Sequence, residues 1–202
     1  MYWCGGMRAA WNAAAKTDPC YYLLLNDDTI IEDFALGDLL EIADSPASCC
    51  IAVGAVADPL TKAQTYGGIR RDALFPLQAQ GVPIECHTMH GNCVLVPRDV
   101  YKRVGALAGY YTHAMGDMDY GNAARRKGCK VVQARRVVGH CTTNPTTGSW
   151  RDSTLSRWER LKRLNSKKEL PLKEWIVYCY RNCSGFWVRQ VISPYLRILL
   201  KR

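Results

Sequence analysis

The chain has 202 residues, 48% hydrophobic and 22% charged, with a formal net charge of +9; this suits one soluble globular domain with a sizeable core. No apolar run approaches the roughly 18 to 20 residues of a spanning helix, and the opening MYWCGGMRAAW lacks the regions of a signal peptide, so the expected location is cytoplasmic. Ten cysteines at irregular spacing, with no CxxC pair, argue against a disulfide scaffold and for reduced, mostly buried thiols.

In chain order, GGMRAAWNAAAK reads as a helix ended by Asp18 and Pro19. YYLLL (21–25) reads as a strand buried on both faces, of the kind found inside parallel sheets. EDFALGDLLEIAD is helical, and after SPAS the run CCIAVGAV is a second apolar strand. Turn residues dominate 58–85, which reads as loops with room for a hairpin. GNCVLV is a strand, PRDVYKRVG a short helix, DMDYGNAARRKG a helix stopped by Gly128, and CKVVQA a last strand. From Ser153 a helix is expected, with Leu155, Trp158, Leu161 and Leu164 on one stripe. The tail FWVRQVISPYLRILLKR is amphipathic and basic, with Pro194 breaking its pattern. The alternation of helix and strand argues for an α/β sandwich.

Charge is unevenly divided. Residues 1–120 hold 8 Lys/Arg against 14 Asp/Glu, or −6, and residues 121–202 hold 19 against 4, or +15. The acidic part suits a cation, and the basic part suits a phosphorylated ligand, nucleic acid or a membrane surface.

Asp27 and Asp28 follow YYLLL directly, at the strand end where α/β sheets bind ligands. Two adjacent carboxylates on a loop point in different directions, so one can hold a hard cation while the other contacts a hydroxyl. The competing reading is that Asn-Asp-Asp-Thr caps the next helix. Asp117 and Asp119 form a second pair at an expected helix start, where the helix dipole favours carboxylates; simple capping competes there too.

In order, LLLNDDT, GNCVLVPRDVYKRVG, GDMDYGNAARRKG and VGHC resemble the inverting glycosyltransferases of family 2, particularly bacterial members that build polysaccharide or lipopolysaccharide. The resemblance covers nearly the whole chain from Trp3. It implies a GT-A fold, a Rossmann-like α/β/α sandwich with a mixed sheet. Residues 1–150 then form a partial catalytic core, and 151–202 form a basic, amphipathic helical extension of the same domain. It further implies that Asp27 contacts the ribose of a nucleotide-sugar, that Asp28 holds Mn2+ or Mg2+ on the diphosphate, that Asp117 is the catalytic base, and that His140 is a further metal ligand. The acceptor is expected to be a glycan or lipid-linked, with Asp119, His113 and Trp150 as candidates to border it. His113 otherwise reads as a loop histidine without a chemical task, and Trp150 as a core anchor.

The chain departs from the family pattern twice. Roughly sixty residues, at about 30 per βαβ unit, are expected before Met1, and a sheet lacking those strands exposes a hydrophobic edge that invites a homodimer. Ala123 stands where relatives commonly carry an Arg that supports the acidic helix. Other signals carry competing readings. Cys86, His87, His90 and Cys93 are a zinc candidate or simply cleft and core residues. The C-terminal helix lies on the cytoplasmic face of a membrane or packs on protein. The +15 segment points to nucleic-acid binding as a second function, though it offers only a basic face. A third is a non-catalytic remnant of the transferase fold.

Overall fold

An uncharged eight-residue run, CIAVGAVA, forms β3 (Cys50–Ala57), buried along its whole length. Small and β-branched side chains on both faces let helices close on either side. Beside it, in parallel, runs β9 (Lys130–His140). The protein is described here by a computed structural model over residues 2–45, 49–71 and 75–200. Those residues form a mixed α/β structure with a mixed seven-stranded sheet and seven α-helices.

The strand order is β1-β8-β3-β9-β2, with β1 at Tyr21–Leu25, β2 at Ile30–Ile31 and β8 at Cys93–Pro97. Two short strands complete the sheet, β4 (Gln64–Tyr66) against β3 and β6 (Ile84–Glu85) against β9. A separate pair joins β5 (Gly68–Ile69) to β7 (Thr88–Met89). The 58–85 stretch thus contains three short strands where loops and a hairpin are expected. Buried Gln133 ties this region down: its Oε1 accepts from Gln64 Nε2 at 3.0 Å and Gly68 N at 2.8 Å, and its Nε2 donates to Leu77 O at 3.0 Å.

Helices cover both faces. On one side α1 (Trp3–Ala14), α3 (Arg98–Val104) and α4 (Gly116–Arg126) build a core around Trp11, Tyr22, Ile51, Val94, Tyr120 and Val131. On the other, α2 (Ala35–Ala43) packs Leu39 and Ile42 on Ala52, Leu95 and Val138.

Four expectations need correction. YYLLL is an edge strand antiparallel to β8, with Tyr22 and Leu24 buried and Leu23 exposed. Cys20 O accepts from Arg98 N and Asn26 N donates to Asn92 O, so the even-numbered backbone faces β8 and the odd-numbered backbone faces the open edge. The last strand runs past CKVVQA to His140, because Arg135 and Arg136 reach across to Asp38 of α2 instead of ending it. Cys49 and Cys129, brought side by side where β3 and β9 begin, form a disulfide; the other eight cysteines are free. The helix expected from Ser153 begins after Ser156, whose side chain and Glu159 form a reciprocal cap, as α5 (Arg157–Leu164). Leu155 therefore lies outside it, and Trp158 faces solvent, while Leu161 and Leu164 pack with Trp150 and Ile198.

Two further helices end the chain, α6 (Leu172–Asn182) and α7 (Trp187–Leu200). The latter continues through Pro194, which is buried, so tertiary packing overrides the lost backbone donor. Lys201 and Arg202 lie outside the described residues.

Candidate functional site

Because β1, β3 and β9 run in one direction and β8 in the other, the ends of the first three and the start of β8 share one edge of the sheet. The four residues Asn26–Thr29 carry the chain from β1 at one end of the strand order to β2 at the other. Asn26 O accepts from Thr29 N at 3.1 Å, which sets Asp27 and Asp28 at the tip of a β-turn. Both are exposed. The capping alternative does not hold, since α2 starts at Ala35 and Phe34 precedes it without a side-chain cap. Asn26 Oδ1 accepts from Trp3 Nε1 at 2.7 Å and pins the turn to α1.

Asp117 lies in the first turn of α4. Its Oδ2 accepts from Gly91 N at 2.9 Å and its Oδ1 from Met118 N at 2.8 Å. A Cβ on Gly91 would lie 2.6 Å from the Trp3 ring and 3.2 Å from Asp117 Cβ, so the approach of this loop to both requires glycine. Just before the helix, Met115 holds φ at +71°, a left-handed conformation that non-glycine residues rarely adopt.

His90 and His113 flank Asp117 electrostatically. Burial pushes His90 below the ordinary imidazole range, against the pull of Asp117, and its Nδ1 is buried without a partner. His113 is lowered by burial and by Lys168, with Asp117 and Glu174 opposing. Its Nδ1 accepts from Trp3 N at 3.3 Å. Tyr66 meets the His90 ring edge-on, with centroids 5.5 Å apart. Asp28 acts on both Tyr66 and Cys141, and the Cys141 thiol is pushed up mainly by burial and further by Asp28.

The sheet edge therefore gathers Asp27, Asp28, Asp117 and His113 with His90, Tyr66 and Trp3, of which Tyr66 and Trp3 were not among the residues expected there. His90 carried a legible signal in CHTMHGNC, read as a zinc candidate. That zinc set does not assemble: Cys86 packs in the core on the α1 side of the sheet, Cys93 in the core on the α2 side. Tyr66 and Trp3 carry no motif.

Two candidates are placed otherwise than expected, and a third, His140, already has a partner. Asp119 is buried, and both its oxygens are engaged: Arg181 Nε and Nη2 lie at 2.9 and 3.1 Å and Asn182 Nδ2 at 2.8 Å. It thus holds α6 and has nothing to offer an acceptor. Arg126 is also 4.0 Å away, while Arg125 pairs with Glu85, so Asp119 has its ion pair with Ala standing at position 123. Trp150 is only 5% exposed and packs with Leu164 and Ile198, so it presents no face to a sugar. His140 stands at the end of β9, with its Nε2 2.9 Å from Glu32 Oε1 and its Nδ1 buried.

Among the described residues, no three His, Cys, Asp or Glu side chains gather as a metal-binding group. Asp28 is an exposed carboxylate, the type of group that holds Mg2+ together with water. Cavities of about 470 and 360 Å3 lie elsewhere, beside Cys50 and Lys130 and beside Cys20 and Tyr21, where β3, β9 and β1 begin. We place the site at the opposite edge, where carboxylates, histidines and a helix start converge. No family model matches this chain, and no curated protein matches it.

Proposed function

We propose that this chain is a metal-dependent inverting glycosyltransferase of the family 2 type with a GT-A fold. It would pass a sugar from a nucleotide-sugar to a glycan or lipid-linked acceptor in cell-surface polysaccharide synthesis. The observation that carries the reading is the meeting, at one sheet edge, of the exposed Asp27–Asp28 turn with Asp117 and the Gly91 loop, segments separated by up to ninety residues of sequence.

At the tip of its turn, Asp27 is exposed to accept from ribose hydroxyls, and Asp28 to hold Mn2+ or Mg2+. A cation held by Asp28 would supply positive charge for the leaving diphosphate. Each Asp117 oxygen accepts one backbone N–H and keeps capacity for another proton donor. Asp117 can thus take the proton of an acceptor hydroxyl as that oxygen attacks the anomeric carbon. The Trp3–Asn26 bond and the closeness of Trp3 to Gly91 hold the two sides in register. One displacement inverts the centre, so the mechanism asks for no protein nucleophile.

Thermal unfolding with Mn2+ and UDP-, GDP- and dTDP-linked sugars tests this. Ligand at about 100 times its Kd adds roughly 2.7 kcal/mol, or about 5 to 10 °C. One nucleotide class is expected to give a metal-dependent shift that Asp28→Ala removes. Asp117→Asn should keep the shift and lose turnover. Absence of a shift with every donor would refute donor binding by this chain.

A further inference from the structure

α6 and α7 bury one face each and leave the other apolar. On α7, Val188, Ile192, Leu196 and Leu199 recur at spacings of three and four and are all exposed, Ile192 and Leu196 at 45% and 47%. On α6, Leu172, Ile176 and Tyr180 form an equivalent exposed stripe. Tyr180 meets Trp187 edge-to-face at 5.8 Å, which joins the end of one stripe to the start of the other helix, and Phe186 between them is 71% exposed. Stripes of this kind on adjacent helices are too extensive to be scattered surface residues.

The charges beside them have one sign. From Trp175 to Leu200 there is no Asp or Glu, while Arg189 and Arg197 are exposed on α7 and Lys173 on α6. The acidic residue of α6, Glu174, is turned inward and bonds Thr112 N and Oγ1 at 2.8 and 2.5 Å. A second copy of this face would bring further Lys and Arg to it and no free carboxylate to answer them. A negatively charged, apolar-backed surface complements it. No helix among the described residues is long and apolar enough to cross a membrane; a helix with an apolar stripe and basic residues suits the plane of its interface.

We propose that the exposed faces of α6 and α7 dock on an anionic lipid bilayer, the apolar stripes entering the acyl boundary and Lys173, Arg189 and Arg197 resting on the headgroups. This inference needs no sugar transfer and stands or falls separately from it.

The test is flotation of the full chain with vesicles of phosphatidylcholine alone or mixed with phosphatidylglycerol. Binding to the anionic vesicles should be about tenfold or more tighter and should weaken from about 0.1 M to about 0.5 M salt. An Ile192→Glu/Leu196→Glu variant should lose it, and an Arg189→Glu/Arg197→Glu variant should lose the anionic preference. Because all four positions are exposed, both variants should keep the parent's thermal transition. No flotation with either lipid, or equal flotation of parent and variants, would overturn the proposal. So would a lipid-free dimer that Ile192→Glu/Leu196→Glu turns into a monomer, which would assign the face to a second copy.

Discussion

Arg181 joins the C-terminal helices to the helix that carries Asp117, and Arg181→Ala isolates that link. The side chain of Asp119 is 2% exposed, and Arg181 supplies two of its three close hydrogen bonds, at 2.9 and 3.1 Å. Removing one partner of a buried ion pair costs about 3 to 5 kcal/mol when the other is left uncompensated. Here Asn182 keeps its 2.8 Å bond, Arg126 is already 4.0 Å away, and the Arg181 side chain is 31% exposed. We therefore expect a loss of about 2 to 3 kcal/mol, seen as a fall in Tm of roughly 5 to 10 °C. The segment should stay attached, because Glu174 still holds Thr112. The assay is urea and thermal unfolding of the parent, Arg181→Ala, Asp119→Asn and the double variant. A coupling of about 2 kcal/mol between the two sites is expected. If Arg181→Ala costs under about 0.5 kcal/mol, or the two substitutions simply add, the pair does not secure α4 and the reasoning fails.

The Cys49–Cys129 bond closes a loop of 80 residues; chain entropy sets a ceiling of about 4.5 kcal/mol on its effect, and about 2 to 4 kcal/mol is the usual range. Thiol titration of the unfolded chain should find eight thiols before reduction and ten after, with a lower Tm in reductant; ten thiols without reductant would remove the disulfide from the fold. The Arg136 guanidinium, bonding at 2.7 and 3.0 Å, holds the buried Asp38 carboxyl below its ordinary value of 3.8. The unfolded chain therefore binds that proton more readily, so the stabilisation is complete above about pH 4 and is lost as pH falls through the native value. Asp38→Asn should cost about 2 kcal/mol near neutral pH, with the gap to the parent closing in acid; an equal gap at both pH values would show that the charge is not what matters.

The central strands were legible because an uninterrupted apolar run of eight leaves few alternatives, and Asp27–Asp28 and Asp117 stood out because carboxylates abut apolar runs or helix starts. What escaped was set by long-range packing. Nothing local in YYLLL tells an edge strand from a central one, since Tyr22 and Leu24 need only one covered face while Leu23 tolerates solvent. Arg135 and Arg136 look like the end of a strand until Asp38, nearly a hundred residues earlier, is seen to receive them. Trp150 carries the right chemistry for a site, yet burial removes it, and the Glu32 partner of His140 lies more than a hundred residues away in sequence.

The pairing of Asp119 shows the same logic at the level of energetics. An acidic helix start that buries Asp119 needs a cation near it, but that cation can come from any element able to reach the carboxylate. Here a helix more than fifty residues later brings Arg181 and Asn182 together, so the need is met mainly from outside α4, whose own Arg126 stands 4.0 Å away. The consequence is structural coupling. Residues 151–202 contribute two of the groups that fix the start of α4, and α4 holds Asp117 against the Gly91 loop. A change in how α6 and α7 are seated, by membrane docking or otherwise, therefore bears through Asp119 on the carboxylate proposed as the base. Vesicle binding that shifts amide-exchange protection in α4 of the parent, but not of Arg181→Ala, would show that this path is used; identical protection with and without vesicles would show that the two ends of the molecule act independently.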